Sequence, residues 1–169
     1  LFASPTVKGP AVRKPFVGGN WKMNLHKAPA VDMAKSLASS FTQTDAVDVA
    51  ICPAFPYLAP VAEALCAAGS QIMLGAQDGY HQPDGAFTGE VSMAMLKDLG
   101  VKVLLVGHSE RRHVIGEPDT LINEKLLAGL EAGLHVILCV GEKLEQREAG
   151  QTDAVNIAQT SYGLAGVAA

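Results

Sequence analysis

Five short apolar runs, Phe16 to Gly19, Val47 to Ile51, Ile72 to Ala76, Val101 to Val106 and Val136 to Val140, recur about every thirty residues along the chain. Each is apolar on successive positions, not alternating ones, the pattern of a strand buried on both faces of a parallel sheet. The segments between them carry helical periodicity: Ala30, Ala34, Leu37 and Phe41; Leu58, Val61 and Leu65; Met95, Leu96 and Leu99; Ile122, Leu126 and Leu130. Apolar residues three and four apart form one face of an amphipathic helix. Three of these segments stop at Gly69, Gly100 and Gly133, where a left-handed residue turns the chain straight into the next run. A last segment, Thr152 to Ala169, reads as a fifth helix with Thr152 as N-cap and Val155, Ala158 and Tyr162 on one face.

This order requires an α/β fold with a parallel sheet covered by helices, either a doubly wound open sheet or a closed (β/α)8 barrel. A dinucleotide-binding open sheet would carry GxGxxG after its first strand. Here that position holds Gly18-Gly19-Asn20-Trp21-Lys22, which weakens the open-sheet reading. In a barrel, the chain would supply about the first five βα units. Unclosed strands leave backbone groups and an apolar interior facing water, so these 169 residues are expected to be part of a longer protein.

Two regions follow: an N-terminal extension over 1–14 and a partial barrel over 15–169. The extension has basic and small residues but no acid. It reads as a flexible extension or tag, or as the remnant of an organellar transit peptide.

Composition excludes several function classes. The net charge of −4 comes with scattered Lys and Arg, so there is no basic patch for nucleic acid or an anionic membrane. No apolar run approaches the roughly 20 residues that span a bilayer. Cys52, Cys66 and Cys139 are odd in number and lack CxxC or Cys/His spacing, so they read as reduced core residues with no metal site. A cytoplasmic location is expected, or an organellar one if the extension is a transit remnant.

In a parallel α/β fold, functional groups collect on the loops after the strands' C-terminal ends. After the first run stands Asn20-Trp21-Lys22-Met23-Asn24, whose lysine can either neutralise an anionic substrate or simply sit in solvent. After the fourth comes Gly107-His108-Ser109-Glu110-Arg111-Arg112-His113, the densest polar cluster in the chain. Ser109 is a plausible N-cap there, and a helix N-terminus beside His108 would keep its imidazole neutral. The plainer reading is that His108 only caps or packs and that Arg111 and Arg112 pair with acids such as Glu117. The loop from Gln77 to Gly89 is long for a βα connection, and Phe87 within it favours a protein interface over a mobile lid.

At these residues the chain resembles the triosephosphate isomerase family. The strings are Phe16-Val17-Gly18-Gly19-Asn20-Trp21-Lys22-Met23-Asn24, Gly75-Ala76-Gln77 with Gly85-Ala86-Phe87-Thr88-Gly89-Glu90, Gly107-His108-Ser109-Glu110-Arg111-Arg112-His113, and Cys139-Val140-Gly141-Glu142-Lys143. The resemblance implies a (β/α)8 barrel that interconverts dihydroxyacetone phosphate and glyceraldehyde 3-phosphate through an enediolate, in glycolysis and gluconeogenesis. It implies a homodimer with no metal or organic cofactor. It assigns His108, Lys22 and Glu110 to catalysis and Asn20, Trp21 and Lys22 to the substrate. Ser109, Arg111 and Glu117 become supporting residues, and Gln77, Phe87 and Thr88 become interface residues.

The family's general base is a glutamate after strand six, and its remaining phosphate donors follow strands six to eight. None of that sequence is among these residues, so the 169 residues alone are expected to be inactive. Two alternatives stay open: a non-catalytic assembly or binding module using the Gln77 to Gly89 loop, and another phosphosugar barrel enzyme.

Overall fold

A computed structural model describes residues 13–42 and 45–168. The extension expected over 1–14 lies outside the described residues, apart from Arg13 and Lys14.

The five apolar runs form five parallel strands: β1 (Phe16–Asn20), β2 (Asp48–Cys52), β3 (Met73–Ala76), β4 (Val103–Val106) and β5 (His135–Leu138). They hydrogen-bond in the order β1-β2-β3-β4-β5, with Phe16 opposite Asp48 and Val103 opposite His135. Consecutive strands that stay neighbours, with a helix between each pair, curl the sheet into a half-barrel. The helices are α1 (Lys27–Ser40), α2 (Leu58–Ala67), α3 (Met93–Asp98), α4 (Asp119–Glu131), α5 (Leu144–Glu148) and α6 (Thr152–Gly163). Gly69, Gly100 and Gly133 sit at positive φ after α2, α3 and α4, as their positions in the sequence predict.

The core lies between the sheet and its helices. Ala30, Ala34 and Ala38 of α1 pack there with Leu58, Val61 and Leu65 of α2, Leu96 of α3, and Ile122 and Leu126 of α4. They meet Ile51, Leu74, Leu104 and Val106 from the strands. Each buried Leu, Ile or Val among them contributes about 1.5–3 kcal/mol by leaving water.

Several expectations need correction. Burial on both faces holds for β4, where all four residues are buried, but not for β1, where Phe16 is 43% and Val17 57% exposed. A flanking strand has a neighbour on one side only, so the same apolar pattern meets less cover. In α3 and α4, Met95 and Leu130 are exposed, while Met93 and Lys125 occupy the inward face. Helix α6 has Gln151, not Thr152, as N-cap, and its sheltered side carries Thr152, Val155, Asn156, Gln159 and Gly163, leaving Ala158 and Tyr162 exposed. Its inward residues are mostly polar because they bind the backbone and side chain of the β5 exit, as described below. Cys66 is exposed, since it falls on the outer side of α2.

Candidate active site

The site forms where the chain leaves β1 and β4. Beyond β1, Asn20 Oδ1 accepts from the Lys22 amide at 2.9 Å, a side-chain-closed turn that reverses the chain. Lys22 adopts φ +53°, a left-handed conformation uncommon for a residue with a β-carbon. Its carbonyl accepts from Gln77 Nε2 at 2.8 Å, and the same amide nitrogen donates to the Cys52 carbonyl at 2.8 Å. Gln77, at the end of β3, thereby clamps the exits of β1 and β2. Lys22 Nζ donates to Glu110 Oε1 at 2.7 Å, both side chains half exposed.

Beyond β4, Gly107 at φ +69° makes the turn into His108; a β-carbon there would come within 2.8 Å of Arg112 Nη2 and 2.9 Å of Ile122 Cγ2. Ser109 is the first helical residue and is exposed, so it does not cap the turn. The imidazole of His108 caps it instead, Nδ1 accepting from the Glu110 amide at 3.2 Å. An imidazole nitrogen can cap as an oxygen does, because the requirement is only a lone pair aimed at a free N–H.

Glu110 Oε2 also lies 3.3 Å from Nδ1, a contact that would favour a proton on that nitrogen. A backbone N–H can only donate, so the capping bond assigns Nδ1 as acceptor and leaves the ring proton on Nε2. The hydrogen bond from the Lys22 ammonium holds the Glu110 carboxyl below the usual carboxylate range. Glu110 is therefore an acceptor at neutral pH.

Asn20, Lys22 and His108 line a cavity of about 310 Å³ together with Gly18, Cys52, Leu105 and Cys139. A second cavity of about 240 Å³ shares Asn20, Lys22 and His108 with the first and is lined also by Met23, Gln77, Glu110, Arg111 and Ile115. Burial, with Cys139 nearby, pushes the Cys52 thiol up to about 12, so it lines the cavity as a neutral group. A fixed ammonium and an imidazole N–H facing one partly apolar cavity can bind an oxyanion and polarise a carbonyl.

Beside the site lies a ring of four charges, three of them buried, with Arg111 at its open edge on the second cavity. Arg111 reaches Glu117 Oε1 at 2.6 Å and Asp78 Oδ2 at 2.9 Å. Lys125 reaches both oxygens of Asp78 at 2.9 Å and pairs with Glu117 Oε1. Asp78, Glu117 and Lys125 are all buried. Burial pushes the Asp78 carboxyl above its ordinary range despite Lys125 and Arg111. For Glu117 the same push is outweighed by hydrogen bonds from Arg111 and Lys125, which hold it below. Arg112 turns the other way, pairing with Asp119 and donating to the Gly107 carbonyl at 2.7 Å.

At the β5 exit, Glu142 accepts from Arg147 at 2.7 Å, Thr152 at 3.2 Å and Asn156 at 3.3 Å. Its own backbone amide and Arg147 lower its carboxyl to about 2. The Gly141 amide donates to Gln159 Oε1 at 2.8 Å, which completes the docking of α5 and α6.

With this geometry in view, the comparisons with known proteins converge. The family model described as Triosephosphate isomerase matches residues 15–169, more than nine-tenths of the chain. The chain belongs to the triosephosphate isomerase family. It is 53% identical over 158 residues to the triosephosphate isomerase of Carboxydothermus hydrogenoformans, covering 94% of this chain and 62% of that protein. It is 46% identical to that of Chlorobium phaeobacteroides, covering 92% and 62% respectively. For Rhodopirellula baltica the identity is 43%, covering 92% and 60%. The chain thus spans about three-fifths of the length of the curated triosephosphate isomerases it matches.

Of the residues singled out in the sequence, the fold brings Asn20, Lys22, His108 and Glu110 together, with Gln77 and Arg111 bordering them. Trp21 packs against the core and lines neither cavity. Phe87 and Thr88 sit on the long loop, where Phe87 packs on Tyr80 at 4.9 Å between ring centroids. Sequence reasoning missed Asp78 and Lys125. The available signal was a lysine in register with the inward residues Ile122, Leu126 and Gly129 of α4, a position that demands a buried partner.

Proposed function

We propose that the full-length protein is a triosephosphate isomerase, interconverting dihydroxyacetone phosphate and glyceraldehyde 3-phosphate by proton transfer through an enediolate. The observation that carries this reading is the convergence of Lys22 and His108 on one cavity at the strand exits, with Asn20 beside them. Lys22 supplies positive charge for the phosphate and the developing oxyanion. His108 presents Nε2–H to the carbonyl and moves protons between the two oxygens. Glu110 orients Lys22 through their 2.7 Å pair. Arg111 and Glu117 support this arrangement from behind, and Trp21 and Ser109 act through the backbone of their loops.

Glu110 is the one carboxylate among the described residues that lines either cavity, and Lys22 already engages it. Removal of the carbon-bound proton falls to a group outside these residues. Residues 1–169 expressed alone are therefore expected to turn over no triose phosphate, whereas the full-length protein does so. Turnover by residues 1–169 that is lost in His108→Gln would refute the assignment of the base.

The reading includes a homodimer through the Gln77 to Gly89 loop and a cytoplasmic location. In support of the dimer, Met23 is 94% and Ile115 63% exposed beside the second cavity, apolar surface that a second copy would cover. Among the described residues no helix is long and apolar enough to cross a membrane. Sedimentation of the full-length protein tests the assembly: a dimer weakened by Phe87→Ser supports it, and a monomer contradicts it.

A further inference from the structure

Lys22 holds a costly backbone conformation, and such conformations persist only where the surroundings over-determine them. Three contacts do so: Asn20 Oδ1 on its amide, Gln77 Nε2 on its carbonyl and Glu110 Oε1 on its ammonium. The first is local, two residues away. The other two come from residues 55 and 88 positions distant, so something must fix the β3 and β4 exits relative to the β1 exit.

The residues immediately after those two are Asp78 and Arg111, and both belong to the four-charge ring. Asp78 follows Gln77 and is bound by Lys125 and Arg111; Arg111 follows Glu110 and is bound by Asp78 and Glu117. Lys125 is 2% exposed and, anchored on α4, closes the ring by holding both acids. Its ion pairs go to Asp78 and Glu117, neither of which lines either cavity, and through them the ring ties the chain at Gln77 to the chain at Glu110 independently of Lys22.

We infer that Asp78 and Lys125 are positioning residues for Lys22: with Arg111 and Glu117 they lock the spacing between Gln77 and Glu110, the two distant groups that hold Lys22 in its left-handed conformation. The consequence for catalysis rests on the isomerase reading above; the consequence for the Lys22 backbone does not. Removing Lys125 leaves Asp78 and Glu117 sharing Arg111 alone, which draws the guanidinium and its neighbour Glu110 out of place.

The test uses the full-length protein with Lys125→Met and Asp78→Asn, and Leu65→Ala on α2 as a variant that loses stability without touching the ring. The Cα and carbonyl NMR shifts of Lys22 should leave their left-handed values in both ring variants and stay in place in Leu65→Ala. Displacements of about an ångström can lower turnover about 100-fold, so kcat/KM for triose phosphate should fall by that order in the ring variants only. Asp78→Asn preserves side-chain shape and decides the matter if Lys125→Met does not fold. Unchanged Lys22 shifts in a folded ring variant, or equal shifts in Leu65→Ala, overturn the proposal. If the unaltered protein isomerises no triose phosphate, the proposed reaction falls while the Lys22 shifts still judge the ring.

Discussion

Two lysine–glutamate pairs in this molecule, their acids at 110 and 117, sit in different surroundings. Lys22 and Glu110 are each half exposed at the mouth of a cavity, whereas Lys125 and Glu117 are 2% and 5% exposed behind it. An exposed pair is screened and contributes little to stability, so its ammonium can exchange a carboxylate for an incoming anion at small cost. A sealed pair has no such freedom, because either partner left alone is an uncompensated buried charge. The difference separates the group we propose to meet ligand from the one we propose to fix geometry.

The largest effect expected from this contrast concerns stability. Lys125→Met should destabilise the fold by about 3–5 kcal/mol, measured by denaturant unfolding, because it leaves two buried carboxylates with one cation. Lys22→Met should leave the unfolding midpoint almost unmoved. Equal losses in the two variants would erase the distinction.

Second in size is the reverse experiment on activity. Lys22→Ala in the full-length protein should lower kcat/KM about 10²–10³-fold, as expected for loss of one oxyanion-stabilising group. Unchanged kinetics would remove Lys22 from the proposed machinery.

A smaller effect should appear with pH. Both Glu110 and Glu117 titrate below the usual value of 4.5, so each contributes stability that is present above that pH and lost as the pH falls through its lowered folded value. Glu117→Gln should flatten the acid limb of the stability profile below about pH 4.5 more than Glu110→Gln, because only Glu117 is sealed from water. Superimposable limbs for the two variants would place both carboxylates in the same environment.

The smallest effect is ionic. Raising salt from 0.1 to 1 M shortens the screening length from about 10 to 3 Å. The stability difference between the parent protein and Lys22→Met should shrink further with salt, while that for Lys125→Met stays constant.

Much of this molecule is legible in its sequence because local periodicity encodes it. The five apolar runs became strands, and Gly69, Gly100 and Gly133 took positive φ, since both depend on neighbours along the chain. Burial was not legible: Phe16 and Val17 are as apolar as Val103 and Leu104, and only their place at the flank of the sheet exposes them. In the site, Lys22 and His108 follow from the rule that function gathers at strand exits. The Gln77 clamp does not, because its partners lie 55 and 25 residues away. Ser109 looked like the cap by residue type, but the His108 ring reaches the free amide first. Lys125 escaped notice because periodicity counts apolar residues and passes over a charge in their register.

We propose that Lys22 and His108 form the substrate-polarising half of a triosephosphate isomerase. This is tested most directly by incubating full-length protein with dihydroxyacetone phosphate and following glyceraldehyde 3-phosphate by a coupled assay, alongside His108→Gln. Rapid conversion is expected from the parent and a loss of about 10²–10⁴-fold in the variant, the usual contribution of a positioned acid–base group. No conversion by the parent, or equal conversion by both proteins, would contradict it.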